Sequence, residues 1–277
     1  MNLVASCGGH QPRFVRWHLS HVGRFLIGCI TGMTVSVIPG AKINRKILHP
    51  KKLGVEDAQW DPLSDNYVLI AYSDGSMILA DIESETILQS FEQQGTGIKS
   101  IVWNKAVPGG FFTCNEKIAQ IRVWNVSNKS TADIIKIGSA GFKHMVVLSD
   151  RNKLFCSFTN GSVGIVDLNK KKLEFQTEPG HAETIFDIKF CPRNRDILAT
   201  CGYDGTIKIW DVLNSKNVET LHSDALVAGQ YRGSMEEKCI LYGLAWSSHS
   251  DSVLATCSAR GTVLVFDYKK AKLLCRF

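Results

Sequence analysis

Ile197-Leu-Ala-Thr-Cys-Gly-Tyr-Asp-Gly-Thr-Ile-Lys-Ile-Trp-Asp211 is the stretch on which the fold turns. Apolar and polar residues alternate on either side of Tyr203-Asp204-Gly205, the period of a half-buried strand rather than a helix. Glycine accepts the left-handed backbone that a tight turn demands, so Gly205 marks a hairpin. Residues 184–190 alternate in the same way before Pro192-Arg-Asn-Arg-Asp196, and residues 218–221 follow the polar break Asn214-Ser-Lys-Asn217. The spacing predicts four short antiparallel strands over 184–190, 197–201, 206–212 and 218–221. A sustained 3.6-residue apolar period is found nowhere in the chain, so no helix is predicted.

This unit recurs. Aromatic or apolar residues closing a short apolar run stand at Trp17, Trp60, Trp103, Val147, Phe190 and Trp246. The first five are 43 or 44 residues apart, and the last interval is 56. A second marker, Gly followed by a polar residue or Met and then alternating apolar residues, begins at Gly32, Gly75, Gly161, Gly205 and Gly261, with Ala119 in its place in the third unit. The predicted organisation is an extension over 1–13, then units over 14–50, 51–94, 95–138, 139–179, 180–221 and 239–277, with an insertion at 222–238. A lone four-stranded sheet cannot bury both faces, whereas a stack of such sheets buries them in turn. The expected class is all-β.

Composition narrows the functional classes. Of 277 residues 44% are hydrophobic and 21% charged, the balance of a globular chain rather than a disordered one. No stretch approaches the ~20 apolar residues of a membrane-spanning helix, and residues 1–10 lack the pattern of a secretory signal. A net charge of +6 is mild for this length and argues against nucleic acid as the main partner. The nine cysteines include no Cys-x-x-Cys pair and read as reduced thiols of a cytoplasmic chain.

Gly180-His181 together with the run ending Ile209-Trp210-Asp211 resembles the WD-repeat β-propeller family. Ile121-Arg-Val-Trp-Asn125 is a near match in the third unit, while Ala80-Asp81, Val166-Asp167 and Phe266-Asp267 replace Trp-Asp elsewhere. The resemblance implies six four-stranded blades, forming either a smaller closed ring or an open ring of the seven-bladed type. The runs Trp60-Asp-Pro-Leu-Ser, Arg122-Val-Trp-Asn-Val-Ser and His181-Ala-Glu-Thr-Ile-Phe-Asp-Ile-Lys-Phe narrow it toward one longer member, of which this chain would be an internal slice. It also implies a non-catalytic scaffold for protein–protein interactions in a multiprotein complex. Ciliary and nuclear complexes stay open beside the cytoplasm. The alternatives are a hydrolase-type propeller enzyme with a site at the channel mouth, and a nucleic-acid-binding propeller.

Two residue sets follow from the resemblance. His181, Thr200, Asp204 and Trp210 match the family's structural tetrad. A Thr–His–Asp constellation also suggests a nucleophile, but a strand interior favours a buried hydrogen-bond relay. The second set lies four residues before each anchor: Arg13, Glu56, Lys99, Lys143, Phe186 and Tyr242, joined by Tyr203. In the family this column faces the entrance of the ring, where bases would attract an acidic peptide and aromatic residues would anchor it.

Other motifs carry less. Gly95-Thr-Gly-Ile-Lys-Ser100 lacks the adjacent Gly-Lys of a phosphate loop. His18 and His21 lack a third ligand, so no metal is expected, nor any cofactor. Lys170-Lys-Lys172 and Lys269-Lys270 read as solvated hairpin tips, with an acidic docking site as the minor reading. The insertion at 222–238, with Gly229, Tyr231, Arg232 and Gly233, is a candidate partner-binding loop.

Overall fold

The computed structural model describes residues 12–21, 23–29, 32–37, 44–47, 53–138, 140–148, 152–177, 180–223 and 239–277. They form two compact units, Met1–Ser139 and Ala140–Phe277, each with three sheets. In the first unit, sheet 1 holds β1 (Pro12–Trp17), β2 (Arg24–Cys29), β3 (Gly32–Val37) and β4 (Asn44–Ile47). Sheet 2 holds β5 (Val55–Trp60), β6 (Tyr67–Tyr72), β7 (Met77–Asp81) and β8 (Thr86–Phe91). Sheet 3 holds β9 (Ile98–Trp103), β10 (Gly110–Asn115), β11 (Gln120–Asn125) and β12 (Asp133–Lys136).

In the second unit, sheet 4 holds β13 (Phe142–Leu148), β14 (Lys153–Phe158), β15 (Val163–Asp167) and β16 (Lys172–Thr177). Sheet 5 holds β17 (Ile185–Cys191), β18 (Asn194–Gly202), β19 (Thr206–Asp211) and β20 (Lys216–His222). Sheet 6 holds β21 (Leu241–Trp246), β22 (Val253–Ser258), β23 (Val263–Asp267) and β24 (Lys272–Arg276). Every sheet is an antiparallel meander in chain order, and the all-β, six-sheet expectation holds. Among the described residues no helix is long and apolar enough to cross a membrane.

The alternation of the sequence becomes packing between successive sheets. Leu26 and Met33 of sheet 1 pack with Val55, Val68 and Ile70 of sheet 2. Leu69, Met77 and Phe91 meet Ile101, Phe111 and Trp124 between sheets 2 and 3. Phe155 and Ile165 meet Ile188 and Trp210 between sheets 4 and 5, and Ile207 and Ile209 meet Leu241 and Phe266 between sheets 5 and 6.

The turns are built from the residues that break the alternation. Gly205 sits at φ +73° and Gly75 at φ +87°, where a Cβ would lie 2.0 Å from the Gly95 carbonyl oxygen. At the outer hairpins an aspartate closing the third strand organises the turn. Asp211 Oδ1 accepts from the Leu213 and Asn214 amides (both 3.0 Å), and Asp81 Oδ1 accepts from Glu83 N (2.9 Å). Four residues after this aspartate the chain takes a left-handed residue, Glu85, Lys171, Ser215 or Ala271.

Sheet 5 departs from expectation at one turn. Residues 192–196 do not all form a loop, because Cys191 pairs with Asn194 and β18 starts there. The turn contracts to Pro192-Arg193, and an irregularity between Phe190 and Cys191 absorbs the surplus residues.

Candidate functional site

In sheet 5, Gly180-His181 precedes β17, Thr200 lies in β18, Asp204 in the hairpin turn and Trp210 in β19. The structure brings the four together. Trp210 Nε1 donates to Thr200 Oγ1 (2.8 Å), and Thr200 Oγ1 lies 2.7 Å from His181 Nε2. His181 Nδ1 is 3.0 Å from both Asp204 oxygens. Asp204 also accepts from Thr206 N, Thr206 Oγ1 and Ala182 N (3.0, 2.8 and 3.0 Å). Burial pushes the Asp204 carboxyl up, but the hydrogen bonds from His181 and Thr206 outweigh it and hold the group well below the usual carboxylate range. Thr200 has no solvent exposure, and its oxygen already contacts both the indole and the imidazole. This geometry satisfies buried polar atoms and leaves no nucleophile in reach of a substrate.

Sheet 3 holds a shorter version that the sequence reading missed. Trp124 Nε1 donates to Thr113 Oγ1 (3.0 Å), Thr113 Oγ1 donates to Gln94 Oε1 (2.8 Å), and Gln94 Nε2 reaches Met77 Sδ (3.1 Å). The signal was available. Gln94 stands five residues before Lys99, as His181 stands five before Phe186.

The residues of the second set share one backbone feature. In the first strand of all six sheets the register slips beside the second residue. The extra, unpaired residues are Arg13, Glu56, Lys99, Lys143, Phe186 and Tyr242. A β-bulge removes one residue from the ladder and re-aims its side chain. The structure places Arg13 in the β1 bulge, its side chain lying outside the described residues.

The next residue holds neighbouring sheets together. Asp57 Oδ2 accepts from Ile101 N of sheet 3 (2.8 Å), and Asp187 Oδ2 accepts from Leu244 N of sheet 6 (2.9 Å). Each aspartate also accepts from the amide that follows it, Ala58 N or Ile188 N (both 2.9 Å). Two indoles repeat the pattern at the far end of the strand. Trp60 Nε1 donates to Arg16 O (3.2 Å) and Trp246 Nε1 to Lys189 O (2.9 Å). Glu56-Asp57 and Phe186-Asp187 carried this signal one residue beyond the column.

What the bulges present differs between the units. In the first, Lys99 Nζ lies 3.0 Å from Glu56 and 3.5 Å from Glu116, so its charge is already met. In the second, the Phe186 ring centroid is 5.1 Å from Tyr242 and 6.4 Å from Tyr203. Tyr203 and Tyr242 are 44% and 50% exposed while Phe186 is half-buried, so the trio is open to a partner. Lys143 occupies the β13 bulge.

His18 and His21 gain a third neighbour, Asp65, that the sequence did not suggest. His21 Nε2 lies 3.0 Å from Asp65 Oδ2. His18 Nδ1 accepts from Ser20 N and His21 N (3.1 and 2.9 Å), which leaves its proton on Nε2 facing the Asp65 carbonyl oxygen at 2.9 Å. With both His18 nitrogens committed, the group is a hydrogen-bonded clasp between sheets 1 and 2, two ligands short of a tetrahedral metal site. Residues 95–97 run into β9 and not into a helix, as a phosphate loop would require. The insertion residues 224–238 lie outside the described residues.

A family profile described as "WD domain, G-beta repeat" matches residues 173–211, the span that contains the buried relay. Residues 173–211 are similar to a WD repeat. The WD-repeat family is supported further by curated relatives. The small ribosomal subunit protein RACK1 of Caenorhabditis elegans is 32% identical over 136 residues, 49% of this chain and 39% of that protein. The ribosome biogenesis protein YTM1 of Kluyveromyces lactis is 21% identical over 213 residues, 74% of this chain and 44% of that protein. Coronin-7 of Rattus norvegicus is 33% identical over 94 residues, 34% of this chain and 9% of that protein. The chain therefore spans less than half the length of these relatives. The six antiparallel sheets are of the kind that form WD-repeat propeller blades.

Proposed function

We propose that this chain is a non-catalytic WD-repeat scaffold that docks protein partners on its β-bulge column, with Phe186, Tyr203 and Tyr242 as the principal anchor. The observation that carries this reading is the aromatic trio, Phe186 and Tyr242 on bulges and Tyr203 in the adjoining hairpin turn, beside a backbone tied down by Asp187. Exposed aromatic side chains on a rigid frame are typical of residues that dominate binding energy. The printed names of two relatives place them in the ribosome or its biogenesis, which supports membership of a multicomponent assembly in the cytoplasm or nucleus. The narrower likeness is to WD repeat-containing protein seventeen and rests on the three sequence runs alone.

An acidic peptide at Arg13, Lys99 and Lys143 is the finer second reading. Lys99 contributes little to it, because Glu56 and Glu116 already share its charge. The test compares partners recovered on wild type and on Tyr203→Ala/Tyr242→Ala by affinity purification and mass spectrometry, with thermal melts confirming that both fold. The double variant is expected to lose a reproducible subset of partners. An unchanged partner set would overturn the aromatic anchor. If Lys143→Glu alone abolishes capture, the acidic-peptide reading replaces it.

A further inference from the structure

A cleft of about 520 Å³ opens between sheets 4 and 5, apart from the bulge column. Its cationic lining is Lys153 of β14 with Lys170 and Lys172 around the β15–β16 turn. Its apolar lining includes Ile165, Leu173 and Leu213, and Leu213 is 60% exposed. Among the described residues the only acid in the lining is Glu174, which pairs with Lys153 and lies 2.7 Å from Lys170. Those two hydrogen-bonded ammonium groups pull the Glu174 carboxyl down to about 2. Three lysines of the lining thus face Glu174 and, at the Lys170 end, Asp167 (3.7 Å), and what the cations hold is itself carboxylate.

We infer that this cleft is a second docking site, which takes an extended peptide segment pairing Asp or Glu carboxylates with aliphatic side chains. Glu174 occupies the place of one incoming carboxylate. The incoming acid meets Lys172 and competes with Glu174 for Lys153 and Lys170, while an aliphatic side chain covers Leu173 and Leu213. β16 ends its sheet, so a peptide lying beside it also meets an outer strand edge. The resident carboxylate and a wall that is aliphatic but for Phe175 favour a protein segment over nucleic acid, which would ask for several stacked aromatic rings.

Sheet 6 is a natural control. Its hairpin repeats the lysine–aspartate contact (Lys270 Nζ to Asp267, 3.5 Å, beside Lys170 to Asp167, 3.7 Å), but Leu274 stands where sheet 4 has Glu174.

The test is fluorescence anisotropy of the whole chain with a fluorescein-labelled Leu-Glu-Glu-Leu-Glu-Glu peptide, beside the same peptide with Gln for Glu. Binding of the acidic peptide alone is expected. Lys153→Glu/Lys172→Glu should weaken it about tenfold or more. Glu174→Gln, which removes the internal competitor, should tighten it severalfold. Lys269→Glu/Lys270→Glu makes the same charge change on sheet 6 and should leave affinity within about twofold. Absent binding, equal binding of the Gln peptide, equal loss in the sheet 6 variant, or no gain in Glu174→Gln would each overturn the assignment. Tighter binding of single-stranded oligothymidine at the same lysines would replace the protein partner with nucleic acid. None of these residues lies in the bulge column, so failure here leaves the aromatic anchor standing, and the reverse.

Discussion

The two units use the same device and present opposite chemistry with it. In Met1–Ser139 the bulge residues Glu56 and Lys99 pair with each other beside Asp57. In Ala140–Phe277 the rings of the bulge residues Phe186 and Tyr242 meet at a 46° tilt beside Asp187. The aspartate one residue on does the same work in both, joining the first strands of neighbouring sheets. The bulge residue is left out of the ladder register, so its side chain is expected to vary with little disturbance of the frame. Presentation and stability are assigned to adjacent residues.

That separation can be broken from the stability side first. Asp57 is almost fully buried and also accepts from Arg16 Nη2 (3.1 Å), so Asp57→Ala strands an amide and loosens a cation. A loss of about 2–3 kcal/mol in urea denaturation is expected. Asp187→Ala should cost less, because its side chain is 19% exposed and water can reach Leu244 N more readily. Equal losses would mean that exposure does not grade this bond.

His181→Ala leaves Thr200 and Asp204 without their imidazole and should cost about 1–3 kcal/mol, with the extra hydrogen exchange confined to the second unit. An unchanged denaturation midpoint would contradict a structural role.

Acid sharpens the contrast between the relays of sheets 3 and 5. The Asp204 carboxyl is depressed in the folded chain, so its stabilisation is complete above the ordinary carboxylate value of ~4 and is lost as pH falls below it. The relay of Gln94, Thr113 and Trp124 has no titrating member. Native-state exchange read between pH 5 and pH 2.5 should show sheet 5 loosening ahead of sheet 3, and Asp204→Asn should flatten the trend for sheet 5. Equal loosening would remove Asp204 as its source.

The smallest effect belongs to the bulges. Tyr242→Lys and Lys99→Tyr should each change stability by no more than about 0.5 kcal/mol while altering what the chain binds. A large stability loss at either position would show that the bulge residue is part of the frame.

Strands, turns and the bulge column were legible because each depends on spacing within a few residues. The alternation around Gly205 predicted its hairpin, and counting back from the anchors reached all six bulges. Contacts between sheets were not legible in that way. Glu116 meets Lys99 from the loop after β10, and Asp65 meets His21 from the β5–β6 connection, so no local period reveals either. Cys257 shows the same limit. It is exposed in β22, while Cys156 of β14 and Cys201 of β18 are buried and their thiols pushed up by that burial.

Four of the bonds between sheets share one direction along the chain. Ile101 N, Leu244 N and the indoles of Trp60 and Trp246 are donors on the later sheet, and Asp57, Asp187, Arg16 O and Lys189 O are acceptors on the earlier one. A polypeptide emerging from the ribosome amino end first therefore completes these four acceptors before their donors exist. For these contacts the later sheet brings its N–H groups to oxygens already in place within the same unit.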